Sequence, residues 1–198
     1  MTALARVDHH LRQQSLTGGE DECGDVGLVI EDDGQCFLAL VDALGHGRQA
    51  HAVARIAADF LAENHRQPLV ELLRGLHLRL KSTRGAVAAL CRLDKDSGRL
   101  RYVGMGNISA KILGNNHRSL VPRDGVLGYM ISSPTEQTTA LYPGDVLLLS
   151  SDGIREHFSP HDHPQLLVGS ARQIVARMID TFSKQNDDAS CIVLRYGV

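Results

Sequence analysis

The sequence has no cysteine pair, no excess of charge and no long apolar run, and each absence removes a class of protein. Its four cysteines, Cys23, Cys36, Cys91 and Cys191, stand far apart and form no C-x-x-C motif. A zinc site built on thiolates and a disulfide framework are therefore not expected. The formal net charge is −2 over 198 residues, which gives no general attraction to nucleic acid or to a membrane surface. No apolar run approaches the ~20 residues of a spanning helix. The first residues, Met1-Thr2-Ala3-Leu4-Ala5-Arg6-Val7-Asp8, lack the basic-then-apolar order of a signal peptide. The expectation is a soluble cytoplasmic protein. Internal repeats and low-complexity linkers are also missing, and the length suits one domain, residues 1–198, with a full-sized core.

The hydrophobic pattern alternates between two periods. Runs at 26–30 and 36–41 are separated by Glu31-Asp32-Asp33-Gly34, a hairpin signal. Residues 48–65 carry Ala50, Val53, Ala54, Ala57, Phe60 and Leu61 on one helical stripe. Pro68 suits the first turn of a second helix, with Val70, Leu73, Leu76, Leu78 and Leu80 as its apolar set. Short β-prone segments follow at 86–93, 99–103 and 108–113. Two more, 138–142 and 146–149, flank the turn Pro143-Gly144-Asp145. A third helix spans 170–183, with Ile174, Val175, Met178, Ile179 and Phe182 inward, and a strand at 189–196 closes the chain. Residues 114–136 and 155–169 read as loops. Strands cluster and helices are inserted between them without strict βαβ alternation, which favours an α+β layered sandwich over a doubly wound sheet.

What the chain does have is four short acidic stretches spread along its length. They are Glu22-Cys23-Gly24-Asp25, Asp42-Ala43-Leu44-Gly45-His46-Gly47, Ser151-Asp152-Gly153 and Asn186-Asp187-Asp188-Ala189-Ser190. Asp42 and Asp152 each end an apolar run and are followed by glycine. Asp25 and the Asp187-Asp188 pair each stand just before one. Carboxylates at the ends of buried strands are costly unless a positive group pairs with them, and no Lys or Arg lies beside Asp42 or Asp152 in sequence. If the strands lie side by side, the four ends can converge at one sheet edge. A set of oxygen ligands without Cys or paired His points to magnesium or manganese rather than zinc. Two such ions ~3.5–4 Å apart can lower the pKa of a bridging water and clamp a phosphoryl oxygen.

These segments resemble the protein phosphatase 2C superfamily in its bacterial SpoIIE-like branch. The resemblance is carried by Gly24-Asp25, by the 42–47 stretch, by Asp187-Asp188-Ala189-Ser190, and above all by Pro143-Gly144-Asp145-Val146-Leu147-Leu148-Leu149-Ser150-Ser151-Asp152-Gly153-Ile154. Within that branch the chain is similar to small single-domain phosphatases of stressosome signalling modules. The resemblance implies a four-layer αββα sandwich with two manganese or magnesium ions at one end. Asp42 matches the aspartate that bridges both ions, and the carbonyl of Ala43 the adjoining ligand. Asp152 matches a ligand of one ion, and Asp187 the C-terminal ligand, with Asp188 as its neighbouring alternative. Asp25 matches an acidic position that acts through water. The implied substrates are phosphoserine and phosphothreonine in proteins, narrowed to phosphorylated STAS-domain subunits of a stressosome. The implied reaction is attack on phosphorus by the hydroxide bridging the ions. The arginine that binds substrate phosphate in eukaryotic relatives has no motif counterpart here; Arg6 and Arg12 are the alternatives.

Blander readings stand beside these. Each Asp can cap a turn or a helix. His46 is either a general acid toward the leaving serine oxygen or a structural histidine at a helix start. Gly45, Gly47 and Gly153 are candidate close-approach glycines. The cluster Glu156-His157-Phe158-Ser159-Pro160-His161-Asp162-His163 lacks the helical His pair of a metalloprotease and reads as a solvated loop. Gly104-Met105-Gly106-Asn107 lacks the Lys-Ser/Thr of a P-loop and reads as a tight turn. Two other functions fit the same residues: a non-catalytic partner-binding module of this fold, and a metallohydrolase acting on a small phosphate ester.

Overall fold

Continuous apolar runs, buried on both faces, form the inner strands of two antiparallel sheets, and helices cover the faces turned away from the other sheet. The computed structural model describes residues 6–19, 22–32, 34–114, 117–155 and 163–197. One sheet has the order β1 (Val7–Gln14), β12 (Ala189–Tyr196), β11 (Val146–Ser150), β6 (Ser109–Leu113), β7 (Arg118–Leu120). The other runs β10 (Gln137–Ala140), β5 (Arg99–Met105), β4 (Ala86–Asp94), β3 (Gln35–Ala43), β2 (Asp25–Asp32). A separate ribbon pairs β8 (Gly125–Val126) with β9 (Met130–Ile131). The helices are α1 (Arg48–Asn64), α2 (Leu69–Arg79) and α3 (Ala171–Phe182).

The layers follow from residue parity. Cys36, Leu38 and Leu40 of β3 meet Leu147 and Leu149 of β11 and Ile192 and Leu194 of β12 in the core between the sheets. The alternate residues Phe37, Ala39 and Val41 face α1 and α2. Val146, Leu148, Cys191 and Val193 face α3. The four-layer αββα sandwich expected from the sequence is the observed architecture. All four cysteines are buried and free. Among the described residues no helix is long and apolar enough to cross a membrane.

Local chemistry sets the helix ends. Ser170 accepts from the Gln173 amide while the Gln173 side chain accepts from the Ser170 amide, a reciprocal cap that starts α3. Helix α1 has no side-chain cap and follows Gly47, whose φ of 78° is in the left-handed region. In α2 the buried stripe is Leu69, Leu72, Leu73, Leu76 and then Leu80. Leu78 does not join it and is 68% exposed, because it lies about 200° around the helix from Leu76. That corrects the inward set read from sequence.

Other departures concern edges. Strand β1 was not anticipated, since Val7 and Leu11 are its only apolar residues and their spacing of four fits a helix or a strand equally. It is an edge strand held by β12, from Val7↔Tyr196 to Gln14↔Ala189. The 114–136 segment, read as loop, contains β7, β8 and β9. The strand read at 138–142 stops at Ala140, and Tyr142 is exposed in the turn where its amide donates to Asp145 Oδ2 at 2.9 Å. Residues 156–162 of the acidic–histidine cluster lie outside the described residues. His163 packs edge-on against Phe182, ring centroids 5.0 Å apart.

The α2 stripe gives a direct test of this packing. Leu76→Ala should cost about 2–5 kcal/mol, while Leu78→Ala should stay within about 0.5 kcal/mol. Urea unfolding of both variants measures this, and equal losses would contradict the assigned helix face.

Candidate metal centre

Antiparallel pairing brings the four acidic stretches to one end of the sandwich. At the start of β2 and one residue before the end of β3, Asp25 lies directly opposite Asp42. In the neighbouring sheet Ser150 pairs with Cys191, so the end of β11 and the start of β12 coincide. Asp152 follows the first and Asp187-Asp188 precede the second. Parity places Asp42 in the row of Leu38 and Leu40, on the face toward the other sheet. A cleft of about 250 Å³ opens there, lined by Asp42, Asp152 and Asp187 together with Leu44, Gly45, His46, Val87, Asn107 and Asn186.

Each carboxylate has a different setting. Asp25 is 3% exposed; its Oδ2 accepts from Ser151 Oγ at 2.6 Å and its carbonyl from Gln13 Nε2 at 2.6 Å. The Ser151 hydroxyl also accepts from the Ser190 amide at 3.0 Å, so one hydroxyl ties both sheets at the site. Asp152 Oδ2 accepts from Asn107 Nδ2 at 2.9 Å. Asp188 is buried, and both its oxygens are engaged: Oδ1 by the Leu16 amide at 2.7 Å and Oδ2 by the Gly24 amide at 2.6 Å. Asp187 borders the cleft, and its Oδ1 accepts from the Asp188 amide at 2.9 Å. Gly153 is a true close-approach position, since a Cβ there would collide with the Asp188 carbonyl. A Cβ on Gly24 would lie 3.3 Å from the Ala43 carbonyl oxygen, which places that oxygen beside the start of β2. His46 is exposed on the cleft wall.

The electrostatics are those of crowded acids. Burial, reinforced by Asp25, Asp152, Asp187 and Asp188, pushes the Asp42 carboxyl up to about 8. Burial likewise raises Asp25 to about 6, against the opposing hydrogen bond from Ser151. Asp187 also moves upward, through burial and then the charge of Asp152. Like charges directly opposite on one sheet face repel, so this end of the molecule favours a cation.

Two arginines considered from sequence lie elsewhere. Arg12 is paired with Asp180 of α3 at 3.0 Å. Arg6 stands by the far end of β12, where its carbonyl accepts from the Gly197 amide. Ser151, Asn107 and Gln13 were not singled out as site residues. Asn107 had a signal in the Gly104-Met105-Gly106 turn that carries it, whereas Gln13 sits on the strand the sequence did not reveal.

The acid crowding has a consequence for stability. A carboxyl raised in the folded state makes the fold bind more protons than the unfolded chain. For Asp42 that holds from its ordinary 3.8 to about 8. Stability of the metal-free protein should therefore fall as pH rises through that window, most clearly between about pH 6 and about pH 8. Melting curves in chelator should show the fall, and Asp42→Asn should flatten it. A melting temperature that rises over this interval would contradict the assigned repulsion.

Comparison with known proteins bears on the fold and the family. The family model of the stage II sporulation protein E (SpoIIE) matches residues 32–197. The phosphoserine phosphatase RsbX of Bacillus subtilis (strain 168) is 23% identical over 180 residues, covering 89% of this chain and 88% of RsbX. Among solved structures, one from work on the bacterial stressosome, a modular system adapted to control secondary messenger signalling, superposes with a TM-score of 0.88. It is 32% identical, covering 96% of this chain and 100% of that one. RsbX in complex with magnesium superposes with a TM-score of 0.83 at 18% identity, covering 96% and 95%. The PP2C phosphatase domain of SpoIIE from Bacillus subtilis does so at 0.79 and 19%, covering 97% of this chain and 63% of that one. With its αββα sandwich and its acidic cleft at one end, this chain belongs to the SpoIIE family of PP2C-type domains.

Proposed function

We propose that this protein is a metal-dependent serine/threonine protein phosphatase acting on phosphorylated STAS-domain proteins of a stressosome in the cytoplasm. The observation that carries the reading is the pairing of buried Asp25 with half-buried Asp42 across two adjacent strands, Asp42 lining a cleft with Asp152 and Asp187. The likeness to RsbX, a phosphoserine phosphatase, and to a stressosome structure supports the substrate class.

The donor set fits two hard divalent cations, manganese or magnesium: it is all oxygen, it is acidic, and its members repel one another without a cation. Among the described residues no three His, Cys, Asp or Glu side chains close on a single point. Magnesium-type ions keep several waters and take few carboxylates each. Asp42, Asp152, Asp187 and the Ala43 carbonyl would hold the ions, and Asp25 would act through an intervening water. When bound, the ions would supply a water of lowered pKa and offset charge developing on the phosphoryl oxygens.

The chain's own groups do the rest. Asn107 fixes the Asp152 carboxylate through its amide, and Ser151 fixes Asp25. Asp188 has both oxygens on backbone amides, of Leu16 and Gly24, which supports Asp187 as the ligand of the adjacent pair. Phosphorus would be attacked by water, the bond to the serine oxygen would break, and His46, which lines the cleft, would protonate that oxygen.

Phosphate release from a phosphoserine STAS domain, measured with manganese, tests the reading. Asp42→Ala and Asp152→Ala should each lose at least about 100-fold in kcat/KM. Asn107→Ala should lose about 10–100-fold in metal affinity, as expected for a residue that orients a ligand. Substantial turnover in Asp42→Ala would sink the assignment. Failure of manganese to bind the native chain would favour the partner-binding module, and turnover of free nucleotides above phosphoprotein would favour a small-ester hydrolase.

A further inference from the structure

We propose that Arg84 is the side chain that binds the substrate phosphate at the rim of this cleft, an inference that rests on the phosphatase reading above. Asp42, Asp152 and Asp187 make the titratable wall acidic, apart from His46. A phosphomonoester therefore needs a cationic donor set on the open side, where its outer oxygens would point.

Arg84 is held where such a donor is required. It lies in the turn between α2 and β4, and that turn is pinned to the Asp42–Gly47 loop by the Leu44 amide donating to the Gly85 carbonyl at 3.0 Å. The turn itself is fixed by Thr83, whose hydroxyl donates to the Leu80 carbonyl at 2.7 Å and accepts from the Gly85 amide at 3.1 Å. From this anchored backbone the guanidinium reaches across Gly45. A Cβ built on Gly45 would lie 3.0 Å from Arg84 Nη1 and 3.4 Å from Cζ. Gly45 is itself part of the cleft wall, next to His46. The missing side chain at Gly45 thus lets the guanidinium lie against the loop that carries Asp42.

The guanidinium is also uncommitted. Among the described residues it forms no ion pair and no hydrogen bond, although Arg84 is exposed and at the edge of a strongly acidic site. The contrast is with Arg48, just beyond the same loop, which pairs with Glu22 at 3.6 Å. A planar fork of N–H donors matches two phosphate oxygens at once, which a lysine cannot do.

The test measures phosphate binding apart from turnover. Inorganic phosphate is titrated by calorimetry into the manganese-loaded full chain, and hydrolysis of p-nitrophenyl phosphate is measured in parallel. Arg84→Ala should raise the phosphate Kd and the KM by about tenfold or more, with manganese affinity and melting temperature unchanged. Arg84→Lys should recover part of the loss. Lys184→Ala, a cation close enough to act on Asp187, should shift the phosphate Kd by less than about twofold. The proposal is overturned if the native chain binds no phosphate, if Arg84→Ala binds it within about twofold of native, or if Lys184→Ala loses as much. A native chain that binds manganese and phosphate through Arg84, yet hydrolyses no phosphomonoester, would leave this site standing and remove the phosphatase reading instead.

Discussion

Two carboxylates placed opposite each other on adjacent strands, Asp25 and Asp42, set the terms for the rest of this molecule. Neither can be relieved by an arginine or lysine, because none reaches them within the described ion pairs. Relief comes instead from neutral donors on the opposite sheet, the Ser151 hydroxyl above all. Such donors lessen the repulsion without removing the charge, and the carboxyls stay raised above their ordinary range. A stability optimum would replace one of the two acids, and this chain retains both.

The scaffold holds this arrangement by local geometry at strand ends. Antiparallel pairing makes the end of one strand coincide with the start of its neighbour, so alternate ends gather acids from distant sequence. Gly153 allows the Asp152 turn to press on the Asp188 carbonyl, and Asp188 in turn binds the amides that lead into β2. Positions of Asp152, Asp187 and Asp25 are thereby linked through a close backbone approach at Gly153 and the buried Asp188 carboxylate. The cleft has two electrostatic sides. Its wall carries Asp42, Asp152 and Asp187, while the Arg84 guanidinium lies against Gly45 at its edge.

Much of the fold was legible in sequence because its inner strands are unbroken apolar runs and its helices carry one apolar stripe. The 189–196 strand, the 48–65 helix and the inward face of α3 follow from side-chain spacing, and the structure reproduces them. Edge elements were not legible. Strand β1 has two apolar residues in eight, and β7 to β9 span only two or three residues each. Their backbone is ordered by a neighbour's ladder rather than by their own hydrophobic pattern. Leu78 was misassigned because a leucine-rich helix offers more apolar residues than one face can bury.

The site divides in the same way. Sequence alone determined which segments carry the acids and that each adjoins a buried strand, since apolar runs and their flanking residues are local properties. Only the tertiary structure decided how Asp187 differs from Asp188, for that depends on amides of Leu16 and Gly24 some 172 and 164 residues away. It alone joined Ser151 to Asp25 across 126 residues and laid Arg84 over Gly45. A carboxylate's partners are fixed by strand register and sheet stacking, and neither is written into the spacing of residues along one segment.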